Sequence, residues 1–405
     1  MTRPQAMRPA PWILPVIILS QFAGTSLWFA GNAVLPDLQA SGSIPPGALG
    51  YVTSAVQFGF ICGTLIFAFL SLSDRYSPRI LFCCCALLGA TANLMLYLAP
   101  GGLASLVVYR FMTGLFLAGI YPVGMKIAAG WYQQGLGNAL GFLVGALVLG
   151  TAFPHLLRAM GPVAPWQLVI VATSAASALG GLLMLALVPD GPNHTRSSGF
   201  DSRALIVIFK AKAFRAASFG YFGHMWELYT FWAFVPFFLQ AYATRHVQTA
   251  VNIPFWSFAI IAAGFVGCAG GGLVSRTIGS APVAFAQLTV SGMCCLLSPL
   301  AFIAPLPAFL AFLLIWGVAV VGDSPQFSAL TAGTAPKHLV GSALTIVNCI
   351  GFSITIASIQ ATSYLSEKVD ARFVFLVLAI GPVIGLAALR PLLGSAGTRT
   401  SKGVQ

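Results

Sequence analysis

Acidic side chains are what this chain lacks most. Eight aspartates and glutamates stand against twenty lysines and arginines in 405 residues, and charged residues of both signs make up 7% of the sequence. A soluble domain carries about a quarter charged residues, so a water-exposed globular surface is excluded. No G-x-x-x-x-G-K-[ST] loop occurs, which removes nucleotide hydrolysis as a source of energy. The G-x-S-x-G nucleophile elbow is missing as well. His155 and His224 lie too far apart in the order of segments to converge on a metal or a nucleophile. All eight cysteines fall in apolar segments, and the adjacent Cys83, Cys84 and Cys85 diverge by ~100° per residue on a helix. They read as small packing residues rather than ligands. No catalytic residue, metal site or cofactor is expected, and the chain does not read as an enzyme.

What the chain has in excess is apolar. Hydrophobic residues form 58% of it and the mean hydropathy is +0.90. Twelve apolar runs appear, near 12–35, 49–71, 79–99, 103–126, 137–157, 166–188, 214–240, 251–274, 281–303, 306–331, 338–364 and 371–393. Each approaches the ~20 residues that cross a bilayer as a helix. Arg3 and Arg8 precede a first run too long for a signal peptide, with no small-residue cleavage site after it. The predicted class is an all-α membrane protein of twelve transmembrane helices in a lipid bilayer.

The net charge of +12 looks at first like a nucleic-acid signature, but its distribution argues otherwise. Apart from Arg110, four basic residues (Arg158, Arg245, Lys368, Arg372) fall in one set of alternate loops and the other fifteen in the opposite set. That bias places both termini in the cytoplasm, with the protein in a cell (inner) membrane and no nucleic-acid partner. The expected organisation is residues 1–190 as one six-helix bundle, 191–213 as a cytoplasmic linker, 214–393 as a second bundle and 394–405 as a tail. The latter part of the linker, ALIVIFKAKAFR, suits either an amphipathic surface segment or the start of the seventh span.

The halves repeat. Ala33–Ala40 aligns with Ala233–Ala241, Leu72–Arg75 with Leu273–Arg276, Pro122 with Pro325, and Gly137–Leu140 with Gly341–Leu344, at offsets that grow from 200 to 204. Six spans followed by six of the same topology are parallel repeats about an axis along the membrane normal.

Leu103–Met125 carries one charge within its apolar length, Arg110, with Tyr121 eleven residues on and near the same helical face. An arginine at that depth is costly unless it meets water or a partner, so the segment is expected to line a cavity. Lys126 falls beside the helix end.

This plan, with its loop motifs, resembles the major facilitator superfamily over nearly the whole chain. Leu72-Ser-Asp74-Arg75-Tyr-Ser-Pro-Arg79 is similar to the family's G-x-L-x-D-R-x-G-R-[RK] loop, although Leu70 and Ser77 replace its glycines and Pro78 the first of its paired basic residues. The matching loop of the second half keeps Arg276 but has Ser275 for the aspartate. The resemblance implies that Asp74, Arg75, Arg79 and Arg276 belong to a conformational switch. Arg110-x-x-Thr113-Gly114-x-x-x-Ala118 resembles the family's fourth-helix R-x-x-Q-G-x-x-x-A motif, whose arginine faces the cavity and is associated with proton coupling. The fifth-span G-P motif of drug antiporters is missing. Gly137, Gly141 and Gly145 stand there instead, a ridge suited to close helix packing.

Polar residues inside the spans supply the remaining candidates. Gln21, Thr25, Trp28 and Asn32 form one stripe on the first span. His224 and Glu227 are i, i+3 neighbours on the seventh, flanked by Tyr221, Trp226, Tyr229 and Trp232. A midplane carboxylate beside a histidine is a proton-relay candidate, so Glu227 with His224 and Arg110 is ranked first for proton coupling and Asp323 next. Trp316, Asp323 and Gln326 lie near one face of the tenth span. The expected substrate-binding set is Gln21, Thr25, Trp28, Asn32, Arg110, Tyr121, Trp226, Trp232, Asp323 and Gln326. Asn348 and Gln360 read as interhelical hydrogen bonds; Asp37, His155 and Arg158 lie at outer ends where solvation suffices. The function expected is a monomeric, proton-coupled carrier for a small organic solute, anionic or amphipathic, working by rocking of the two halves. A transporter-like receptor or partner subunit and a drug/proton antiporter are the alternatives.

Overall fold

The computed structural model describes residues 10–132, 136–161, 165–192, 204–247 and 249–394. Every regular element among those residues is helical. Eleven helical segments are long and apolar enough to cross a membrane: Ile13–Ala40, Ala48–Phe69, Pro78–Leu98, Leu103–Trp131, Ala139–Ala159, Trp166–Leu187, Ile253–Ile278, Ser280–Ala301, Leu306–Thr334, Lys337–Ser366 and Ala371–Leu393. The remaining span, seventh in order, is Lys212–Arg245, a continuous helix of 34 residues. At ~1.5 Å per residue it is long enough to cross, but its tyrosines, tryptophans, His224 and Glu227 lower its hydropathy. Its burial explains the composition. Tyr221, His224, Glu227, Tyr229 and Trp232 are all buried, so this helix meets protein on most sides and has little need of a lipid-facing stripe.

Three spans are interrupted. The fourth breaks between Leu117 and Tyr121 and the tenth at Asp323, each followed at once by a proline (Pro122, Pro325) that has no N–H to continue the ladder. The first breaks between Thr25 and Ala30 with no proline at the break. There Thr25 and Ser26 turn their hydroxyls back onto the carbonyls of Gln21 and Ala23, the local competition that bends helices.

The pseudo-symmetry is visible in the closest helix contacts. A Cβ on Gly114 would lie 2.0 Å from the Val56 carbonyl oxygen, and one on Gly317 would lie 2.0 Å from that of Ile260. These glycines stand at the same 203-residue offset as Pro122 and Pro325. Backbone therefore touches backbone between spans two and four, and again between spans eight and ten. Gly114→Ala is expected to destabilise by about 1–3 kcal/mol through overpacking. Wild-type melting of purified Gly114→Ala would show that the two helices do not approach so closely.

The two bundles meet along spans two and eleven and along spans five and eight. Gln360 Nε2 on the eleventh span donates to Gly50 O at 3.1 Å and Ser54 Oγ at 2.8 Å on the second, the interhelical bond expected of it. Of the glycine ridge on the fifth span, Gly145 packs against Phe265 of the eighth, whereas Gly137 and Gly141 touch nothing within 4 Å of a built Cβ. Residues 193–203 and 395–405 lie outside the described residues, and with them the middle of the expected linker and nearly all of the tail. The linker's end is a helical turn, Ala204–Val207, and a 3-10 turn, Ile208–Lys210, which expose Leu205 and Ile206 and bury Ile208.

Candidate functional site

Between the bundles lies a cavity of about 1240 Å³. Its mouth, at the end of the molecule that carries Arg75, Arg276 and Lys337 and is called here the basic end, is lined by Asp74, Lys126, Ser275, Arg276, Gly341 and Ser342. Deeper in, Tyr121, Tyr221, Met225, Ser324, Gln326 and Asn348 form the wall. Tyr221 donates its hydroxyl to Asn348 Oδ1 at 3.0 Å, joining spans seven and eleven across that wall. Pro122 and Pro325, at the breaks of spans four and ten, also face the cavity, so both interruptions shape it.

Tyr229 and Phe352 close the deep end. Behind them Trp28 stacks on Tyr229 at 5.4 Å, and Phe60 packs on Phe352 at 4.5 Å. All four rings are at most 3% exposed. Trp28 of the first span and Tyr229 of the seventh meet between the bundles. This aromatic layer separates the cavity from the far end.

Arg110 is not on the cavity wall. It is completely buried behind the first span. Its guanidinium donates to Leu27 O at 3.0 Å, to Asn93 Oδ1 at 3.3 Å and to the Trp28 carbonyl. Among the described residues no carboxylate lies within ion-pair distance of it. Its donors thus meet the carbonyls freed where the first span breaks. Asn93, missed in the sequence reading although it is an amide inside an apolar run, ties the same cluster to Thr173 and Ser174 of the sixth span.

The other sequence candidates divide. Tyr121 and Gln326 line the cavity, and Asp74 and Arg276 line its mouth. Trp28 belongs to the aromatic layer. Trp232 packs on Tyr229 behind it, at 5.3 Å. Thr25 packs under Gly150 of the fifth span, and Gln21 lies against Gly124 of the fourth. Asn32 Nδ2 donates to Thr53 Oγ1 at 2.7 Å. Trp226 turns to the twelfth span, donating to Val377 O at 3.0 Å.

His224 and Glu227, one turn apart, diverge. His224 Nδ1 lies 2.8 Å from Asp323 Oδ1, with both side chains 1% exposed. Asp323 Oδ2 and His224 Nε2 have no hydrogen-bond partner. Asp323 sits at the break of the tenth span, immediately before the cavity-lining Ser324, Pro325 and Gln326, so the pair is one layer behind the wall. Glu227 points instead into the second bundle. Its Oε1 accepts from Trp316 Nε1 at 2.7 Å, from Cys295 Sγ at 3.3 Å and from Ser291 Oγ.

At the mouth, Lys126 Nζ bridges Asp74 Oδ1 at 2.5 Å and Ser73 O at 2.7 Å, closing the loop after the second span onto the fourth. Arg79 and Ser77 both reach Asp190, Ser77 Oγ donating at 2.8 Å, while Arg75 is exposed. At the far end Arg158 grips Asp37 in a two-point fork of 2.6 and 3.0 Å, a closer contact than solvation alone would require.

Two related helical bundles with a cavity between them, open at one end and sealed at the other, define a secondary membrane carrier. The chain belongs to the Major Facilitator Superfamily, whose sequence profile matches residues 16–359. It is a multi-pass membrane protein and a transporter, not an enzyme. The solved structure of the major facilitator proton:xylose symporter XylE, bound to 6-bromo-6-deoxy-D-glucose, is similar over 94% of this chain and 95% of that one, with a TM-score of 0.73. The two sequences are 12% identical, so the likeness speaks for the fold. A search of curated proteins gave no significant match.

Proposed function

We propose that the protein carries a small, uncharged, hydroxylated solute, coupled to protons, as a monomer in the inner membrane with its basic end in the cytoplasm. The observation that carries this reading is the chemistry of the cavity. Its charged lining residues, Asp74, Lys126 and Arg276, are confined to the mouth, and the deep wall offers tyrosine and serine hydroxyls and the amides of Gln326 and Asn348. Hydroxyls and amides donate and accept alike, which suits a solute that does both. Aromatic faces beside a few placed polar groups are the usual make-up of a small-molecule site. The sequence alone points to an anionic or amphipathic solute, with Arg110 expected on the wall. With that guanidinium turned to Leu27, Trp28 and Asn93, the neutral class is the better reading. The sugar symporter among its structural neighbours supports it.

For the proton, the geometry favours His224 and Asp323 over Glu227. The pair adjoins the cavity wall and leaves one oxygen and one ring nitrogen without partners. Glu227 is held by three donors on spans nine and ten. In this arrangement the carrier is open to the cytoplasm, and the aromatic layer is its closed outer gate.

Reconstituted into liposomes and given a pH difference alone, the protein is expected to accumulate tritiated D-xylose, D-glucose or sorbitol, and neither succinate nor choline. Accumulation of only a charged probe would sink the neutral class. In intact cells, externally added protease is expected to leave the 189–213 loop uncut; cleavage there would reverse the orientation.

A further inference from the structure

In and beyond the aromatic layer, the buried polar atoms without a hydrogen-bond partner among the described residues include Trp28 Nε1, Asn32 Oδ1, both amide atoms of Gln57, and Trp232 Nε1. Asn32 is 8% exposed and the other three residues 1% or less. They are one neighbourhood. Asn32 donates to Thr53, and Thr53, Gln57 and Phe60 recur at i, i+4 and i+7 along one face of the second span. Phe60 packs on Trp28 at 5.0 Å, and Trp28 and Trp232 both pack on Tyr229.

The chain direction places this neighbourhood on the far side of the barrier. Spans one and seven run away from the basic end. Asn32, four residues on, therefore lies past Trp28, and Trp232 ~4.5 Å past the cavity-lining Tyr229. The second span runs the other way, from the far end past Thr53 and Gln57 to Phe60 and then to Thr64 and Phe67 on the cavity. Buried polar groups are normally paired, and so many unpaired ones in a single layer call for a reason.

We propose that Trp28, Asn32, Gln57 and Trp232 form a second recognition layer for the same uncharged, hydroxylated solute, unmade while the basic end is open and presented when the far end opens. The inference rests on the carrier reading above and deepens it. The layer's complement selects the class. Two indole N–H groups and one amide NH₂ seek acceptors, while two amide oxygens seek donors. A carboxylate would satisfy the first set and press an anion on the second, and an ammonium ion would do the reverse. A hydroxyl does both. Because the layer bonds solute in one state only, an occupied layer favours that state and an empty one gives no such bias.

The test uses the full chain with its eight native cysteines replaced. Gln57→Cys and Asn32→Cys are expected to react with a membrane-impermeant maleimide supplied at the far end, and Ser342→Cys with the same reagent at the basic end. Failure of both far-side positions, with Ser342→Cys reactive, overturns the proposal. In the native background, Gln57→Leu is expected to raise the melting temperature in detergent, because it removes two unpaired atoms. A fall would mean that Gln57 is bonded structurally and is no recognition group. Trp28→Phe and Trp232→Phe keep a ring in the barrier but lose the N–H. Each is expected to raise the half-saturating concentration of tritiated D-xylose, D-glucose or sorbitol at the far side about tenfold, the scale of one lost hydrogen bond. Unchanged values overturn the layer. A wild type that takes up none of the three overturns the carrier reading instead.

Discussion

Asp323→Asn is expected to abolish solute accumulation driven by a pH difference while leaving solute exchange at equal concentrations close to wild type. The asparagine keeps the shape of the side chain and can still hydrogen-bond to His224 Nδ1, 2.8 Å away in the wild type, but it cannot titrate. The tenth span should therefore keep its break, and Ser324, Pro325 and Gln326 should still line the cavity. What goes is the ability to bind a proton in one state and release it in another, which is what ties the two fluxes together. Glu227→Gln is expected to behave oppositely and retain proton-driven accumulation. Its amide oxygen can accept from Ser291, Cys295 and Trp316 as the carboxylate oxygen does. Both variants are read in the same proteoliposomes, one imposed gradient against one exchange assay. If Asp323→Asn still concentrates solute and Glu227→Gln does not, coupling lies with Glu227, and the His224–Asp323 pair is a helix-to-helix fastening.

Those opposite expectations show where the sequence is informative. That His224 and Glu227 share one face of the seventh span follows from a three-residue spacing and holds for any helix. Which helix stands opposite that face is not encoded in the spacing. His224 meets the tenth span at its break, while Glu227 meets the ninth and tenth within the bundle, so neighbours on one helix serve different partners. The spans themselves were legible because a bilayer demands about 20 apolar residues in a row. The run read at 137–157 is the helix Leu136–Ala159, and the run at 166–188 is Trp166–Leu187. The seventh span, though visible as a run, is the least hydropathic because protein rather than lipid surrounds it.

The breaks were half legible. Pro122 and Pro325 appear in the repeat and remove an N–H each, so an interruption beside them is local chemistry. The first span breaks at Ser26–Phe29 without proline; beside the local hydroxyls of Thr25 and Ser26, a carbonyl there is met by Arg110, 83 residues on from Leu27. Gln57 went unnoticed because with Thr53 it makes only a short polar pair in an apolar run, unlike the four-residue stripe of the first span. Its significance comes from Asn32 and Trp28 of the first span and Trp232 of the seventh, which the fold brings into its neighbourhood.

Arg110→Leu and Arg110→Lys are both expected to lose most transport and to melt earlier than wild type, with lysine only slightly better than leucine. The first span needs acceptors met at Leu27 and Trp28, and Asn93 presents a third. A guanidinium supplies a planar fork of donors for such a set; an ammonium is a point charge that cannot span it. Each buried acceptor left unmet costs about 1–3 kcal/mol, a large share of the few kcal/mol that hold a protein folded. Leucine leaves the Trp28 carbonyl and Asn93 Oδ1 without the guanidinium, and Leu27 O with only the Ala30 N–H at 3.4 Å, but it removes a buried charge that no carboxylate balances, and this narrows the gap between the two variants. Solute affinity separates this account from one in which Arg110 grips substrate. A positioning arginine leaves the wall of Tyr221, Gln326 and Asn348 intact, so whatever folded Arg110→Lys survives should bind solute from the basic end with near-native affinity while turning over slowly. A binding arginine would do the reverse, sparing the melting temperature and raising the dissociation constant. The first pattern makes the break in span one a constructed hinge, held open by a cation from span four, that carries Trp28 into and out of the barrier.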